Sequence, residues 1–555
     1  MNIMKKFLYF IILPILISFI LYFYLPLKIN PLKNGSIVLK PAPVTTYTNV
    51  QTKLAGPHDF PIYRNISKDG GINAFTSTKD FSNGLLQSLK SAQTKQGRFY
   101  QLTVNGRQIG WVNEKFFLRS KLLAAKHVSL TRNPYYSFPV RDAISYIADK
   151  HGTLIDPKKV SASQNFVNST TPGKFTIKLK YHHLKTTINV HVRPNLNEGI
   201  TVANRTAIAG PSLVKTFSGS SKSSSPNWNP ENNYQPETKI NRYYDNKHNL
   251  MITQFYQPRF HSLTPQPTPL NQIGVIPQGI SLKQNQLTVS YFSEPNVEWG
   301  HLVTYNLNHL SDPLKSQNLL TMKWREFKNT SRNIAISPYM KLGHGQSIGM
   351  TKKYIYVLAS SNKEANPDKS EEIFQISRKN YQINHLWTIK VWNRSSYYPR
   401  YFHNACFINS HLMYVTFHNA SKGLYEYWKL SRNGNTWMPT EIGATQSDFV
   451  KNNSPLQGFA SSRSKFYLAF NDNLFIITHP GKLIQHYQFH TLRETEGIAV
   501  ENDRPYIELA RRPELLQIKN QQNKKELIIT NYEVRPKSET LLGLLLCLNL
   551  IKNKR

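Results

Sequence analysis

Short apolar runs separated by polar turns fill the second half of the chain, and one signature returns among them. Gln278-Gly279-Ile280 precedes the run Leu287–Tyr291, and Gln346-Ser347-Ile348 precedes Tyr354–Leu358. Asn404-Ala405-Cys406 precedes Leu412–Val415, Gln457-Gly458-Phe459 precedes Phe466–Leu468, and Glu496-Gly497-Ile498 precedes Tyr506–Leu509. Each time a polar side chain is followed by a small residue and an apolar anchor, and a β-rich run begins after a turn. Self-similarity among strand-type segments marks a repeat architecture. Further strand patterns follow each signature: Lys323–Lys328 after the first, Ile383–Lys390 after the second, Glu526–Val534 after the fifth. Five units of about four antiparallel strands predict a five-bladed β-propeller over residues 240–535. Leu250–Tyr256 is placed to complete the last blade and close the ring; a sixth blade built from 240–276 is the alternative. If each signature opens an innermost strand, Gln278, Gln346, Asn404, Gln457 and Glu496 gather at one mouth of the central channel. Amides there either meet carbohydrate hydroxyls or an ion, or bond to neighbouring blades and hold the ring.

The rest of the chain reads as smaller units strung in front. Phe7–Leu27 runs without a charge after Lys5 and Lys6, and about 20 apolar residues cross a hydrocarbon core. No small-x-small cleavage site follows, so 1–28 reads as an uncleaved signal-anchor helix, with a cleaved signal peptide as the alternative. That predicts a single-pass protein of the cell membrane with the bulk of the chain outside. Residues 29–57, with Pro31, Pro41 and Pro43, read as an extended spacer. Residues 58–120 carry strand patterns around Asn105-Gly106, a dipeptide that suits a two-residue hairpin because both central positions need positive φ. Residues 126–194 form a second β unit, with Asp142–Lys150 as a short helix and alternating strands at Phe175–Tyr181 and Thr186–Val192. Residues 203–238 are a Ser/Pro/Asn-rich linker, and 536–555 are a tail in which the apolar run Leu541–Ile551 precedes Lys552 and Arg555.

Charge narrows the partners. Lys and Arg number 69 against 32 Asp and Glu, a net charge of +37. The excess is dispersed over every region, which favours polyanions and anionic surfaces. Anionic cell-wall polymers such as teichoic acid, glycans and membrane lipids are the expected partners. Nucleic acid is not, because no basic recognition helix, zinc finger or RRM signature is present. The 2 cysteines, Cys406 and Cys547, make no disulfide framework. No P-loop, dinucleotide fingerprint, HExxH or CxxC occurs, so no cofactor is expected.

Three stretches resemble known families. Gly110-Trp111, within the segment Gly97–Val112, resembles the GW (SH3-like) modules of Gram-positive surface proteins. That resemblance implies a small barrel attaching to lipoteichoic acid or other wall polymers, with Trp111 as wall contact or core plug. The Pro172–Tyr181 strand and its partner resemble bacterial Ig-like sandwiches, which serve as spacers. Gly343-His344-Gly345-Gln346, Gln457-Gly458-Phe459 and Glu494-Thr495-Glu496-Gly497-Ile498 resemble the helveticin J family of bacteriocins. The implied whole is mainly β: a transmembrane helix, an SH3-like barrel, an Ig-like sandwich and a C-terminal propeller, in a surface-held binding protein with antibacterial potential.

Two constellations suggest chemistry. Gly345-Gln346-Ser347-Ile348-Gly349 is formally G-x-S-x-G, but a strand pattern follows it, and Ser347 occupies the small position of the repeat. His344, His403, Glu494 and Glu496 lie in or beside signatures, so they could meet at the channel mouth as ligand-binding or acid–base groups. The expected ligand set is therefore Gln278, His344, Gln346, His403, Asn404, Gln457, Glu494 and Glu496. Alternatives to a binding protein are a glycan-acting enzyme using that mouth and a host-surface adhesin.

Overall fold

The computed structural model describes residues 40–47, 60–77, 85–202 and 236–520, apart from short turns, single positions and the stretches 259–276, 293–298, 361–370, 393–398 and 446–455. The expected membrane anchor and the apolar-basic tail lie outside the described residues. Among the described residues no helix is long and apolar enough to cross a membrane.

Strands dominate because the chain alternates apolar and polar residues over runs of six to ten positions and supplies turn residues between them. In the second half these strands make five antiparallel sheets, and each sheet begins at a signature. The innermost strands are Pro277–Lys283, Ser347–Met350, Asn404–Asn409, Gly458–Ser461 and Thr495–Glu501. From each, pairing proceeds outward through successive hairpins. The fifth sheet is completed from the other end of the domain. Leu250–Tyr256 pairs antiparallel with Glu514–Lys519, from Leu250 opposite Lys519 to Tyr256 opposite Glu514. Arg242–Tyr244 adds outside it. Residues 242–256 therefore belong to the fifth sheet. Glu526–Val534, read as its outer strand, lies outside the described residues.

The five innermost strands adjoin one another in cyclic order, the fifth returning to the first. This propeller-like ring explains the small position of the signature. A Cβ on Gly279 would lie 2.5 Å from the carbonyl carbon of Gln346, in the second sheet. Ser347, in the second, accepts a hydrogen bond at Oγ from Ala405 N of the third at 2.7 Å. Asn404 Nδ2 of the third donates to Leu456 O beside the fourth at 2.9 Å. A Cβ on Gly458 would meet Ile498 N of the fifth at 2.9 Å, and one on Gly497 would meet Gln278 O of the first at 3.0 Å. The signature thus recurs where backbones converge on the axis and a larger side chain has no room.

Buried aromatic and aliphatic side chains fill the seams between sheets. Tyr356 stacks on Phe407 across the second and third sheets at 5.3 Å, and Tyr414 meets Phe466 edge-on across the third and fourth at 5.0 Å.

Three sequence expectations are corrected. Lys40–Tyr47, within the residues read as an extended spacer, is a strand paired with Leu85–Thr94. Lys323–Lys328 is not a strand: Trp324–Ser331 is a helix. Its Phe327 is fully buried with Leu319 and Met322, while Glu326 on the outer side pairs with Lys315 at 3.0 Å. An apolar position set three or four residues from the next suits a helix rather than a pleat. The outer edge of the first sheet is supplied instead by Ile334–Ile336 and Tyr339–Lys341. Asp142–Lys150 is not a helix either. A 3-10 turn at Val140–Ala143 leads into the strand Ile144–Ala148, paired with Lys121–Ala124. All five residues of that strand are buried, and β-branched and aromatic side chains fit a covered pleat better than a helix.

The second β unit is continuous with the ring. His127–Thr131 runs parallel to Leu184–Arg193 on one side and to Tyr339–Lys341 of the first sheet on the other. Phe138 of the unit packs 4.9 Å from Trp299 and 6.1 Å from Tyr339 of the ring. One core therefore serves both. The front module has six strands, from Lys40–Tyr47 to Arg107–Asn113, in one sheet. Its central hairpin has Val104 opposite Arg107; Asn105-Gly106, between them in sequence, lie outside the described residues.

Candidate functional site

Hairpin order fixes which ends of the innermost strands share a face of the ring. The first residues of all five, the polar positions of the signature, lie at one end of the channel. The turns after Lys283, Ser461 and Glu501 lie at the other.

At the first end, side chains bond mainly to each other. Gln346 Nε2 donates to Gln457 Oε1 at 3.3 Å, joining the second and fourth sheets, which are not neighbours in the ring. Gln457 Nε2 reaches Glu494 Oε1 at 3.5 Å. The amides therefore meet across the axis. Gln278, Asn404, Gln457 and Glu496 are all buried. Gln278 Oε1 and Asn404 Oδ1 have no hydrogen-bond partner among the described residues. His344 and His403 lie outside the described residues, and the described residues hold no His/Cys/Asp/Glu cluster able to bind a metal. Ser347 is buried and its Oγ is occupied by the Ala405 amide, so the G-x-S-x-G match has a structural explanation and no exposed nucleophile.

Behind this end runs a buried polar seam that the sequence did not single out. Glu514 is fully buried and ion-paired with Arg493. Its Oε1 also accepts from Thr253 Oγ1 at 2.5 Å, and Asn241 Nδ2 lies 3.2 Å away. Groups from the two ends of the domain thus tie the fifth sheet together. Beside it, Gln257 Nε2 donates to Glu508 Oε1 at 2.5 Å, while Gln257 Oε1 accepts from Tyr291, whose hydroxyl is 2.9 Å from that of Tyr305. Loss of solvent pushes the Glu508 carboxyl well above the usual carboxylate range, outweighing the Gln257 hydrogen bond that lowers it. Through Gln257, Glu508 of the fifth sheet is joined to Tyr291 of the first.

The other end of the channel is open. A cavity of about 540 Å³ is lined by the apolar anchors of all five signatures, Ile280, Ile348, Cys406, Phe459 and Ile498. Its rim carries Lys283, Gln284, Ser462, Arg463, His479 and Asn502. Glu501 is also at the rim, accepting from Gln284 N. His479 stacks on Phe466 at 4.3 Å with Nε2 3.2 Å from Ser461 Oγ, and partial burial lowers its pKa. Burial pushes the Cys406 thiol up to about 12, so it stays protonated. Sequence reasoning missed this end because its walls are ordinary strand residues. The signal was in the signature all along: an apolar anchor two residues after the polar position shares that strand's face.

In the front module Trp111 is 8% exposed. It packs with Phe99 and Ala92, and Tyr63 flanks them. A Cβ on Gly110 would fall 2.7 Å from Tyr63 O and 2.8 Å from Ile62 Cγ2. The Gly-Trp pair therefore combines close backbone approach with a core plug. Arg64, Lys68, Lys90 and Lys95 of the module are exposed, Lys95 in an ion pair with Asp69 at 2.8 Å.

Residues 42–117 match the family described as the GW (Gly-Tryp) dipeptide domain. A search of characterised proteins returned no match. Solved structures similar to the chain include a gluconolactonase of Xanthomonas campestris, at 9% identity and TM-score 0.29, covering 51% of this chain and 97% of that one. A glutaminyl cyclase of Myxococcus xanthus matches at 14% identity and TM-score 0.27, covering 44% and 89%. A virginiamycin B lyase of Staphylococcus aureus matches at 9% and 0.23, covering 42% and 77%. Likeness at this level carries no argument about chemistry, and the ring stands on its own strand register.

Proposed function

We propose that this chain is a surface-held, non-enzymatic binding protein. Its GW domain grips anionic cell-wall polymers of the teichoic acid type and holds the propeller-like domain at the wall. The GW match over residues 42–117 carries this reading. The charge of +37 supports it, because phosphate-bearing polymers are attracted to a dispersed cationic surface. With Trp111 packed inside, the polymer's phosphates meet exposed cations, chiefly Arg64, Lys68 and Lys90. Phe7–Leu27 would hold the chain to the membrane from which such walls are built. The occupied Ser347 hydroxyl removes the serine nucleophile that the G-x-S-x-G match suggested.

The test is sedimentation of the full chain with purified Gram-positive walls across a salt series. Replacing Arg64, Lys68 and Lys90 by Glu together should abolish most co-sedimentation and flatten the salt dependence of what remains. Unchanged binding by that variant would remove the GW domain from the wall contact.

A further inference from the structure

The open end of the channel is a built site that the wall-binding reading does not use. Its walls repeat one apolar position five times, once per sheet: Ile280, Ile348, Cys406, Phe459 and Ile498. Four of the five positions carry large apolar side chains. Below them lies the layer in which Gln346 bonds to Gln457 across the axis. The channel is therefore a blind well rather than a passage, with the five apolar anchors on its sides, Ser281, Ser461 and Tyr414 among them, and the charged groups at its rim. At the rim stand two cations, Lys283 and Arg463, one carboxylate, Glu501, and neutral donors at Gln284, Ser462 and Asn502. Glu501 accepts the Gln284 amide, and the two cations outnumber that one carboxylate, so the rim is net positive.

A volume of about 540 Å³ falls in the range of small-molecule sites. A sugar seated at the depth of the five anchors would set most of its hydroxyls against apolar side chains, at a desolvation cost. A chain of methylenes meets no such cost, and an anionic head would remain at the rim beside the cations.

We infer that this well binds a single-chain anionic amphiphile, acyl end first, with its carboxylate or phosphate head at Lys283 and Arg463. The site stands independently of wall binding through the GW domain.

Isothermal titration of the full chain tests it, using decanoate, laurate and monododecyl phosphate below their micelle thresholds. One saturable site per chain is expected. Affinity should rise about fourfold for each added methylene, hence roughly fifteenfold from decanoate to laurate. Comparison of laurate with dodecyl phosphate identifies the preferred head. Dodecyltrimethylammonium, with the same tail and the opposite charge, should bind at least tenfold more weakly. Cys406→Phe places in the third sheet the residue that the fourth already carries at Phe459, so it fills the well while respecting the repeat. It should cut laurate affinity at least tenfold with the melting temperature preserved. Lys283→Glu with Arg463→Glu, both on the rim, should lower affinity for the anions and not for the cation. Absence of saturable binding, no dependence on chain length, equal binding of the cationic amphiphile, or indifference to Cys406→Phe in a folded variant would each overturn the proposal. So would binding that appears only after removal of residues 536–555, because the occupant would then be the chain's own run Leu541–Ile551.

Discussion

Gly279→Ala adds one methyl group at the tightest of the three signature glycines. Its Cβ would stand 2.5 Å from Gln346 C, 2.6 Å from Gln346 O and 2.7 Å from Gly345 O, all backbone atoms that no rotamer change can move. The hydrogen bond from Gly279 N to Gly345 O at 2.9 Å spans the same contact. Parting the first and second sheets enough to admit the methyl costs about 1–3 kcal/mol of overpacking, and a weakened bond adds about 1 kcal/mol. Against this, the lower entropy of an unfolded chain with Ala stabilises by about 0.4–1 kcal/mol. The net expectation is a loss of roughly 1–3 kcal/mol, a fall in melting temperature of several degrees for a domain of this size. The other glycine slots are looser. Gly458→Ala meets Ile498 Cγ2 at 2.8 Å and its amide N at 2.9 Å, and Gly497→Ala meets nothing closer than 3.0 Å. The series should therefore rank Gly279→Ala as most destabilising, Gly458→Ala next and Gly497→Ala least, read by urea and thermal unfolding followed by circular dichroism. Equal stability for all three, or a Gly279→Ala protein more stable than the parent, would refute the convergence of innermost strands on the axis.

Removing one partner of the buried pair at the fifth-sheet seam, with Glu514→Ala, should cost about 3–5 kcal/mol, because Arg493, at 11% side-chain exposure, loses its carboxylate partner; urea unfolding measures it. Ser347→Ala should cost about 1–3 kcal/mol by leaving the buried Ala405 amide without an acceptor. Glu508 has its pKa raised by burial, so its contribution is complete below the ordinary carboxylate pKa of about 4.3 and is lost as pH rises toward the folded value. Glu508→Gln should accordingly be more stable than the parent at pH 8, with the advantage shrinking as the pH approaches 4. His301 is the opposite case: burial holds its imidazole down at about 4 while Nδ1 sits 2.7 Å from Ser337 O. Its stabilising effect is present above about 6.5 and is lost as pH falls, by roughly 3 kcal/mol at pH 4, and His301→Asn should flatten that slope in melts across the range.

The ring was legible because repetition exposes a shared geometric constraint. Gly279, Ser347, Ala405, Gly458 and Gly497 are small for one reason, the approach of neighbouring backbones, and such a reason shows in sequence as a period. The pairing of Leu250–Tyr256 with Glu514–Lys519 also followed from strand pattern and position. What stayed hidden depends on contacts remote in sequence. Thr253 and Glu514 meet across the seam because the ring closes there, and nothing local to either residue announces the other. The continuity of His127–Thr131 with Tyr339–Lys341 was invisible for the same reason, which is why the second unit read as a free-standing spacer. Trp324–Ser331 was misread because the run is short: the three-residue spacing of Trp324 and Phe327 suits a helix, but a single interval is too little to fix a period. At the candidate site, polar side chains attracted attention and apolar ones did not. The amides at one mouth bond across the axis, while the open cavity is walled by residues that look like plain core.

Wall attachment is tested most directly by one measurement: co-sedimentation of the full chain with purified Gram-positive walls before and after chemical removal of teichoic acid. Capture by intact walls, falling at least tenfold on stripped walls and weakening steeply with salt, is the predicted result. Equal capture by both would contradict an anionic wall polymer as the partner, and no capture by either would contradict wall binding altogether.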